Sequence, residues 1–457
     1  MKIHIKNGRL IDPASGTDAN KDLFIAAGKI AGIGTAPAGF TANRTIDAAG
    51  LVVCPGLVDL AVRLREPGFE YMATLETEMS AAVAGGVTSL ACPPDTDPPL
   101  DEPGLVEMLK FRARNLHQSH VYPVGALSIG LKGTRLTEMA ELTDAGCVGF
   151  SHADAPLTDH LLLFRALQYA ATFDFPVWLR PQDAALARGG VAHDGQVATR
   201  LGLAAIPVTA ETVALSTILL LTRETGARVH ICRLSSGEGV NMVREAKQRG
   251  LRVTCDVAIH HAHLCEMDIG YFDANCNLTP PLRSQRDRDG LRAAIADGTV
   301  DALCSDHTPV DDDAKQLPFG EAETGATGVE LLLPLTLKWA EEAKLPLAQG
   351  ARTHHCRSRP RARRGRRPHR RGRHRRRLHL RPAALLEGRP GHAEKPRQKH
   401  AVHRHRTQGP RALYTGRRPG RLRIRVSSGE PCCANGVQYG AVRFFLNPES
   451  SIQNPAQ

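Results

Sequence analysis

The stretch "RVHICRLSSGEGVNMVREAKQRGLRVTCDVAIHH", residues 228–261, reads as a strand, a helix and a second strand, with charged residues placed just beyond the apolar runs. The same unit recurs on both sides of it. Upstream lie "GVTSLAC", "PGLVEMLKFRARN", "HVYPVGAL", "LTEMAELTDAG", "CVGFSH", "HLLLFRALQYAATF", "PVWLRP" and "AETVALSTILLLTRETG"; downstream lies "VDALCSDH". Strand and helix alternating over roughly 250 residues, with polar groups at strand C-termini, predicts a (β/α)8 barrel. Active sites in that architecture sit where the strands end. That directs attention to Asp59 through Arg65, Asp154, Arg180, Arg233, His260 and Asp306.

Before the barrel, the runs "MKIHIKNGRLID", "DLFIAAGKIAGIG" and "RTIDAAGLVVCPG" alternate over short lengths between Gly, Asn and Asp turns. They predict a small β-sandwich unit. The expected division is residues 1–54 for the first part of that unit and 55–350 for the barrel. Residues 351–425 follow as an Arg/His-rich tail, and 426–457 as an irregular C-terminus without an assignable role.

The charge is unevenly placed. The chain of 457 residues has a formal net charge of +12, yet residues 351–425 hold 25 Arg and 2 Lys against 2 Glu, so the remainder carries −13. An Arg-rich arm for nucleic acid is one reading of the tail, and a product of out-of-frame translation is the other. With a suitable choice of synonymous codons, "KPRQKHAVHRH" shifted by one nucleotide becomes "SRGKNTPFIG". In the same register "RLHLRP" permits "DFTFDP" and "RALYTGRRPG" permits "ARYTLVDGR". Three globular segments in one register, in order, favour a frameshift near Gly350 and a tail unable to build a core. The acidic body removes the basis for nucleic-acid binding.

Eleven cysteines occur without a C-x-x-C pair. No leading stretch has the layout of a secretory signal, and "VALSTILLL" is far too short to span a bilayer. A reduced, cytoplasmic protein with no membrane role is expected.

Four stretches are more specific: "PGLVDLAVRLREPGFEY", "GGVTSLACPPDTDPP", "NLTPPLRSQRDRDGLRAAIADGTVDALCSDHTP" and "GATGVELLLPL". Over residues 1 to about 350 the chain resembles the dihydroorotases of the amidohydrolase superfamily. The resemblance implies an amidohydrolase-type barrel that interconverts carbamoyl aspartate and dihydroorotate, with zinc at the barrel mouth. The positions of the family's metal ligands are altered here. Ala61 and Arg63 stand for the His-x-His pair, Ala153 for a bridging carboxylate with Asp154 one residue late, and Arg180 and Arg233 for two further histidines. A methyl group has no lone pair, and guanidinium is always protonated, so neither can ligate a cation. Asp306 remains as an inherited catalytic position, with Arg65 and Asn277 at inherited substrate-binding positions and Val310 in place of a substrate-binding histidine.

From this follow the expectations of no functional catalytic residue, no bound zinc, and a net positive pocket in which Asp306 takes a bidentate bond from one of the arginines. His152, His230, His260, His261, His263 and His307 all lie near strand ends and keep a rearranged metal site, and hence an active cyclic amidohydrolase, open as the alternative. The resemblance also extends to dihydroorotase-like chains that lack metal ligands and hold aspartate carbamoyltransferase catalytic chains in an oligomeric complex. An inactive assembly subunit is the leading expectation.

Overall fold

The structure is a computed structural model that describes residues 1–347. The Arg/His-rich tail, 351–425, and the C-terminus, 426–457, lie outside the described residues.

The first strands are β1 (Lys2–Lys6), β2 (Arg9–Asp12), β3 (Thr17–Asn20), β4 (Leu23–Ala26), β5 (Lys29–Ile33), β6 (Arg44–Asp47) and β7 (Val52–Val53). They form two small sheets, ordered β5-β4-β1-β6 and β3-β2-β7. Alternation buries Ile3, Ile5, Leu23, Ile25 and Ile46 in a common core, with Leu51 and Val53 packed against it.

The barrel follows as β8 (Leu57–Asp59), α1 (Leu75–Gly85), β9 (Val87–Cys92), α2 (Pro103–Leu116), β10 (His120–Pro123), β11 (Gly125–Ala126), α3 (Met139–Ala145), β12 (Phe150–Ser151), α4 (His160–Phe173) and β13 (Pro176–Leu179). It continues through β14 (Ala192–His193), α5 (Gln196–Leu201), β15 (Ala205–Ile206), α6 (Thr209–Thr225), β16 (Arg228–Ile231), α7 (Gly237–Gln248), β17 (Val253–Ala258), α8 (Gln285–Ala296), β18 (Ala302–Cys304) and α9 (Leu332–Glu342). Parallel pairing orders one arc as β8-β9-β10 and the other as β11-β12-β13-β16-β17-β18. β10 and β11 are two halves of one barrel strand interrupted at Val124, whose N–H donates to Cys92 O at 2.9 Å. The ring closes through a parallel bridge between Val62 and His307.

Period-two alternation sets what each strand contributes. Val177, Leu179, Val229, Ile231 and Val257 point outward and pack with Leu163, Leu167, Leu215 and Val243 of the surrounding helices. Fully burying each such side chain contributes about 1.5–3 kcal/mol. Helix α4 shows the local logic. Asp159 caps its start by accepting from the N–H groups of Leu161 at 2.8 Å and Leu162 at 3.0 Å, an arrangement that stabilises a helix by about 1 kcal/mol. Its buried stripe runs Leu162, Leu163, Ala166, Leu167, Ala170.

One local expectation is corrected, and one stretch without expected elements gains them. "HHAH" does not continue β17: residues Ile259–Ala262 form a 3-10 turn, so their side chains follow a three-residue period. The excursion between β13 and α6, containing β14, α5 and β15, carried no strong alternation in the sequence. Its Ala192, Val197 and Ala198 join Ile269, Leu278, Leu282 and Phe319 in a satellite core formed with loops beyond β17 and β18.

Candidate functional site

The site is assembled where the strands run out. Beyond β8, the Asp59 carboxylate is fully buried and accepts from Ala61 N at 3.2 Å and Ser305 N at 3.1 Å, which ties the ends of β8 and β18 together. Burial pushes this carboxyl up to about 6, against the hydrogen bonds from Ser305 and Ala61. Arg63 N donates to His307 O at 2.9 Å, so the first of the three arginines sits on the closing seam of the ring.

Past β16, Arg233 adopts φ +53° and donates its backbone N–H to Asp256 at 2.6 Å. Buried Glu211 of α6 fixes Ser235 and Ser236, two and three positions further on. One carboxylate oxygen accepts from Ser235 N at 2.8 Å and its hydroxyl at 2.6 Å; the other accepts from Ser236 N at 3.1 Å and its hydroxyl at 2.5 Å.

The arginines converge on Asp154. Its Oδ2 accepts from Arg63 Nη2 at 2.6 Å and Arg233 Nη1 at 3.4 Å. Its Oδ1 accepts from Arg180 Nε at 2.5 Å and from Arg233 Nη2. Arg63 also donates to Asp95 at 2.7 Å, Thr308 Oγ1 at 2.9 Å and Asp306 Oδ1 at 3.4 Å, while Arg233 Nη1 reaches the same Asp306 oxygen at 2.9 Å. Arg180 Nη1 is held by Gln182.

This geometry alters two expectations. Asp306 is not gripped by a bidentate fork; it receives two single bonds on one oxygen, and the bidentate partner of Arg233 is Asp154. Nor is the pocket net positive, because Asp95, Asp154 and Asp306 balance three guanidinium charges. The physical reason is that Asp154, one residue beyond the expected carboxylate position, reaches all three arginines at once.

Electrostatics follow from the packing. Burial would raise the Asp154 carboxyl, but Arg233, Arg180 and Arg63 outweigh it and hold it well below the usual carboxylate range. For Asp306 burial prevails over Arg233 and Arg63, with Asp154 adding to it, and the carboxyl lies above its ordinary value. Burial lowers the affinity of Arg233 for its proton, yet Asp154 and Asp306 drive it strongly the other way.

Zinc does not fit this mouth. Ala61 and Ala153 offer methyl groups, three guanidinium groups fill the centre, and the oxygens of Asp154 and Oδ1 of Asp306 already receive charged donors. The remaining cavity, lined by Arg63, Ala153, Trp178, Arg180, Cys232 and Arg233, measures about 30 Å³. Sites for small molecules run to about 300–1,000 Å³.

The nearby histidines have other partners. His152 Nε2 lies 2.9 Å from Ser128 Oγ and its Nδ1 lies 3.0 Å from Ala155 O. His307 Nδ1 accepts from the N–H groups of Gly328 and Val329 at 3.1 and 3.3 Å, which leaves Nε2–H to donate to Glu78. His263 Nε2 donates to Leu335 O at 2.9 Å. His261 Nε2 donates to Pro281 O at 3.2 Å, and His260 lies beside it, its ring tilted by 42° at 4.6 Å between centroids and its Nε2 buried without a hydrogen-bond partner. Burial, reinforced by Arg233, pushes His260 down to about 4; burial and His260 push His261 down to about 3. His230, Cys232 and Asp256 bring donor atoms within 4.8 Å of one another. Both Asp256 oxygens are occupied, however, by Arg233 N and by His230 Nε2 at 2.8 Å.

Arg65 donates Nε to Pro309 O at 2.8 Å and lies over Phe69. Buried Asn277 donates both amide hydrogens to carbonyls, Phe319 O at 2.9 Å and Ala322 O at 2.8 Å, and so anchors the loop after β18. Sequence reasoning singled out Arg63, Arg180, Arg233, Asp154 and Asp306, which the structure brings together. It missed Asp95, which sits among prolines that read as turn chemistry, and Glu211, a carboxylate within a helical run. It also missed Asp256, for which a carboxylate inside an apolar strand was the available signal.

A profile described as Dihydro-orotase-like matches residues 50–239. A dihydroorotase-like protein of Pseudomonas aeruginosa is 48% identical over 347 residues, covering 76% of this chain and 82% of that protein. The chain belongs to the dihydroorotase-like family. Within that family a dihydroorotase of Geobacter sp. (strain M21) is 41% identical over 349 residues, with coverage of 76% and 82%. The amidohydrolase barrel is matched in solved structures as well. The L-hydantoinase (dihydropyrimidinase) from Arthrobacter aurescens superposes with a TM-score of 0.69 at 24% identity, covering 77% of this chain and 80% of that one. No helix among the described residues is long and apolar enough to cross a membrane.

Proposed function

We propose that this dihydroorotase-like chain is a catalytically inactive barrel of pyrimidine biosynthesis that serves as a non-catalytic subunit for assembling aspartate carbamoyltransferase catalytic chains. The observation that carries the inactive half is the trio Arg63, Arg180 and Arg233 filling the barrel mouth around Asp154. Metal-assisted hydrolysis draws on a fall in the pKa of bound water from about 15.7 to about 7. At roughly 1.36 kcal/mol per unit, that amounts to about 12 kcal/mol toward hydroxide. A charge-balanced arginine plug offers neither the open coordination position nor the lone pairs. The assembly half is supported by the family resemblance at those same altered positions.

The second reading, an active cyclic amidohydrolase with a rearranged metal site, has His230, Cys232 and Asp256 in its favour. One preparation separates the two. The purified full chain is assayed for dihydroorotase activity with and without added zinc, then mixed with the aspartate carbamoyltransferase catalytic chains of its own organism and sized by sedimentation. Expected are no turnover, no metal retained at the mouth, and a complex larger than the catalytic chains alone. Turnover abolished by chelation would establish the second reading, and absence of a complex would remove the assembly role.

A further inference from the structure

Asp154 behaves in this structure as a ligand behaves in a binding site. It comes from the segment between β12 and α4, not from a strand facing the arginines, and its side chain is 32% exposed while those of Arg63, Arg180 and Arg233 are 5–7% exposed. Each of its two oxygens accepts from two guanidinium groups, so the carboxylate is saturated with charged donors. The backbone is held to put it there. Ala153 takes φ +49°, a region that side chains with a Cβ rarely adopt. The two ends of the segment are pinned, at one side by His152 between Ser128 and Ala155 O, at the other by the Asp159 cap.

We propose that Arg63, Arg180 and Arg233 constitute a receptor for a small carboxylate ligand, and that Asp154 is its built-in occupant. Without Asp154, Arg63 and Arg233 keep Asp95 and Asp306, Asp256 of the same cavity is engaged by His230 and Arg233 N, and Arg180 is left as a buried cation with no ion pair. Such a charge requires an anion. The donors of three arginines are placed on the two oxygens of one carboxylate, the group they already hold. With Asp154 in place, the cavity of about 30 Å³ admits one or two waters; a ligand enters only as Asp154 leaves. For Asp154 to leave, the turn that His152 closes on Ala155, through Ala155 N–H to His152 O at 3.1 Å and His152 Nδ1 to Ala155 O at 3.0 Å, has to open. The site is independent of the assembly role, and its test uses no partner chain.

Trp178 lines the same cavity and reports on it by fluorescence. The full-length Asp154→Ala protein, which lacks only the occupant's carboxylate, is titrated with formate and acetate, with phosphate and chloride at matched ionic strength as controls. Saturable carboxylate binding at least tenfold tighter than in the unsubstituted protein, accompanied by a rise in Tm and lost in Asp154→Ala/Arg180→Gln, is expected. Equal responses in both proteins, equal binding of phosphate, or binding indifferent to Arg180→Gln would overturn the proposal. If Asp154→Ala does not fold, the unsubstituted protein decides. Malonate must accelerate amide exchange of residues 153–158 saturably, and must fail to do so in Arg180→Gln; no acceleration refutes the exchange of occupant for ligand.

Discussion

Replacing Arg233 by Met tests how the buried carboxylate Asp306 is kept in the fold. Asp306 Oδ1 has two charged donors, Arg233 at 2.9 Å and Arg63 at 3.4 Å, the second at the limit of bonding. Asp154 loses Arg233 too, but keeps Arg63 and Arg180 and reaches solvent. The loss therefore falls chiefly on Asp306, whose side chain is 6% exposed. Removing one member of a buried pair costs about 3–5 kcal/mol, mostly through the charge left behind. Arg233→Met should accordingly destabilise by about 3–5 kcal/mol at pH 7.5. Adding Asp306→Asn neutralises the stranded group and should recover about 2 kcal/mol, a coupling within the range for contacting residues. Burial already holds the Asp306 carboxyl above its unfolded value, and loss of Arg233 raises it further. A group with a raised folded pKa stabilises most at low pH, so the deficit should narrow between pH 7.5 and 5.5. Urea unfolding at both pH values, followed through Trp178 and Trp339, gives all three numbers. A loss below about 1 kcal/mol, or a double variant equal to the sum of the singles, would refute this reasoning.

Glu211→Gln replaces an oxygen that accepts two bonds with an amide that cannot accept either; a loss of about 3 kcal/mol is expected, with faster amide exchange at residues 233–236 as the local signature. Asp59, raised by burial to about 6 from 3.8, stabilises the fold least above pH 6 and progressively more as pH falls toward 4, by about 3 kcal/mol in all. Asp59→Asn should remove that pH dependence and match or exceed the parent protein at pH 7.5 in a thermal unfolding series from pH 4 to 8; an unchanged slope would show that burial does not raise the Asp59 carboxyl.

The barrel was legible because its two periodicities survive in single segments. Runs such as "PVWLRP" and "RVHICRLS" alternate, and "EGVNMVREAKQRG" carries a helical stripe. Strand ends then name Arg180 and Arg233 without any coordinates. What the sequence did not reveal is the pairing among those ends. Asp154 precedes Pro156 in an irregular segment, and only the left-handed turn at Ala153 aims it at three arginines, a backbone angle that no residue pattern announces. Asp95 was hidden for a related reason, since Pro and Asp residues read as a turn whether or not one carboxylate points inward. The histidines near strand ends were visible, but their allegiance was not. His307 turns toward Glu78 of a helix far away in sequence, and such contacts are set by packing.

The bridge between Val62 and His307 has a consequence for how the molecule is made. Arg63 and Thr308, joined across that seam, are 245 positions apart. A nascent chain must therefore hold its first barrel strand unpaired on one side while nearly the whole barrel is synthesised, and contacts of that separation form late. The last described strand ends at Cys304 and the last described helix at Glu342, both upstream of Gly350. The residues of the arginine clasp and of the seam all precede the Arg/His-rich tail, so a growing chain has delivered them before that tail is synthesised.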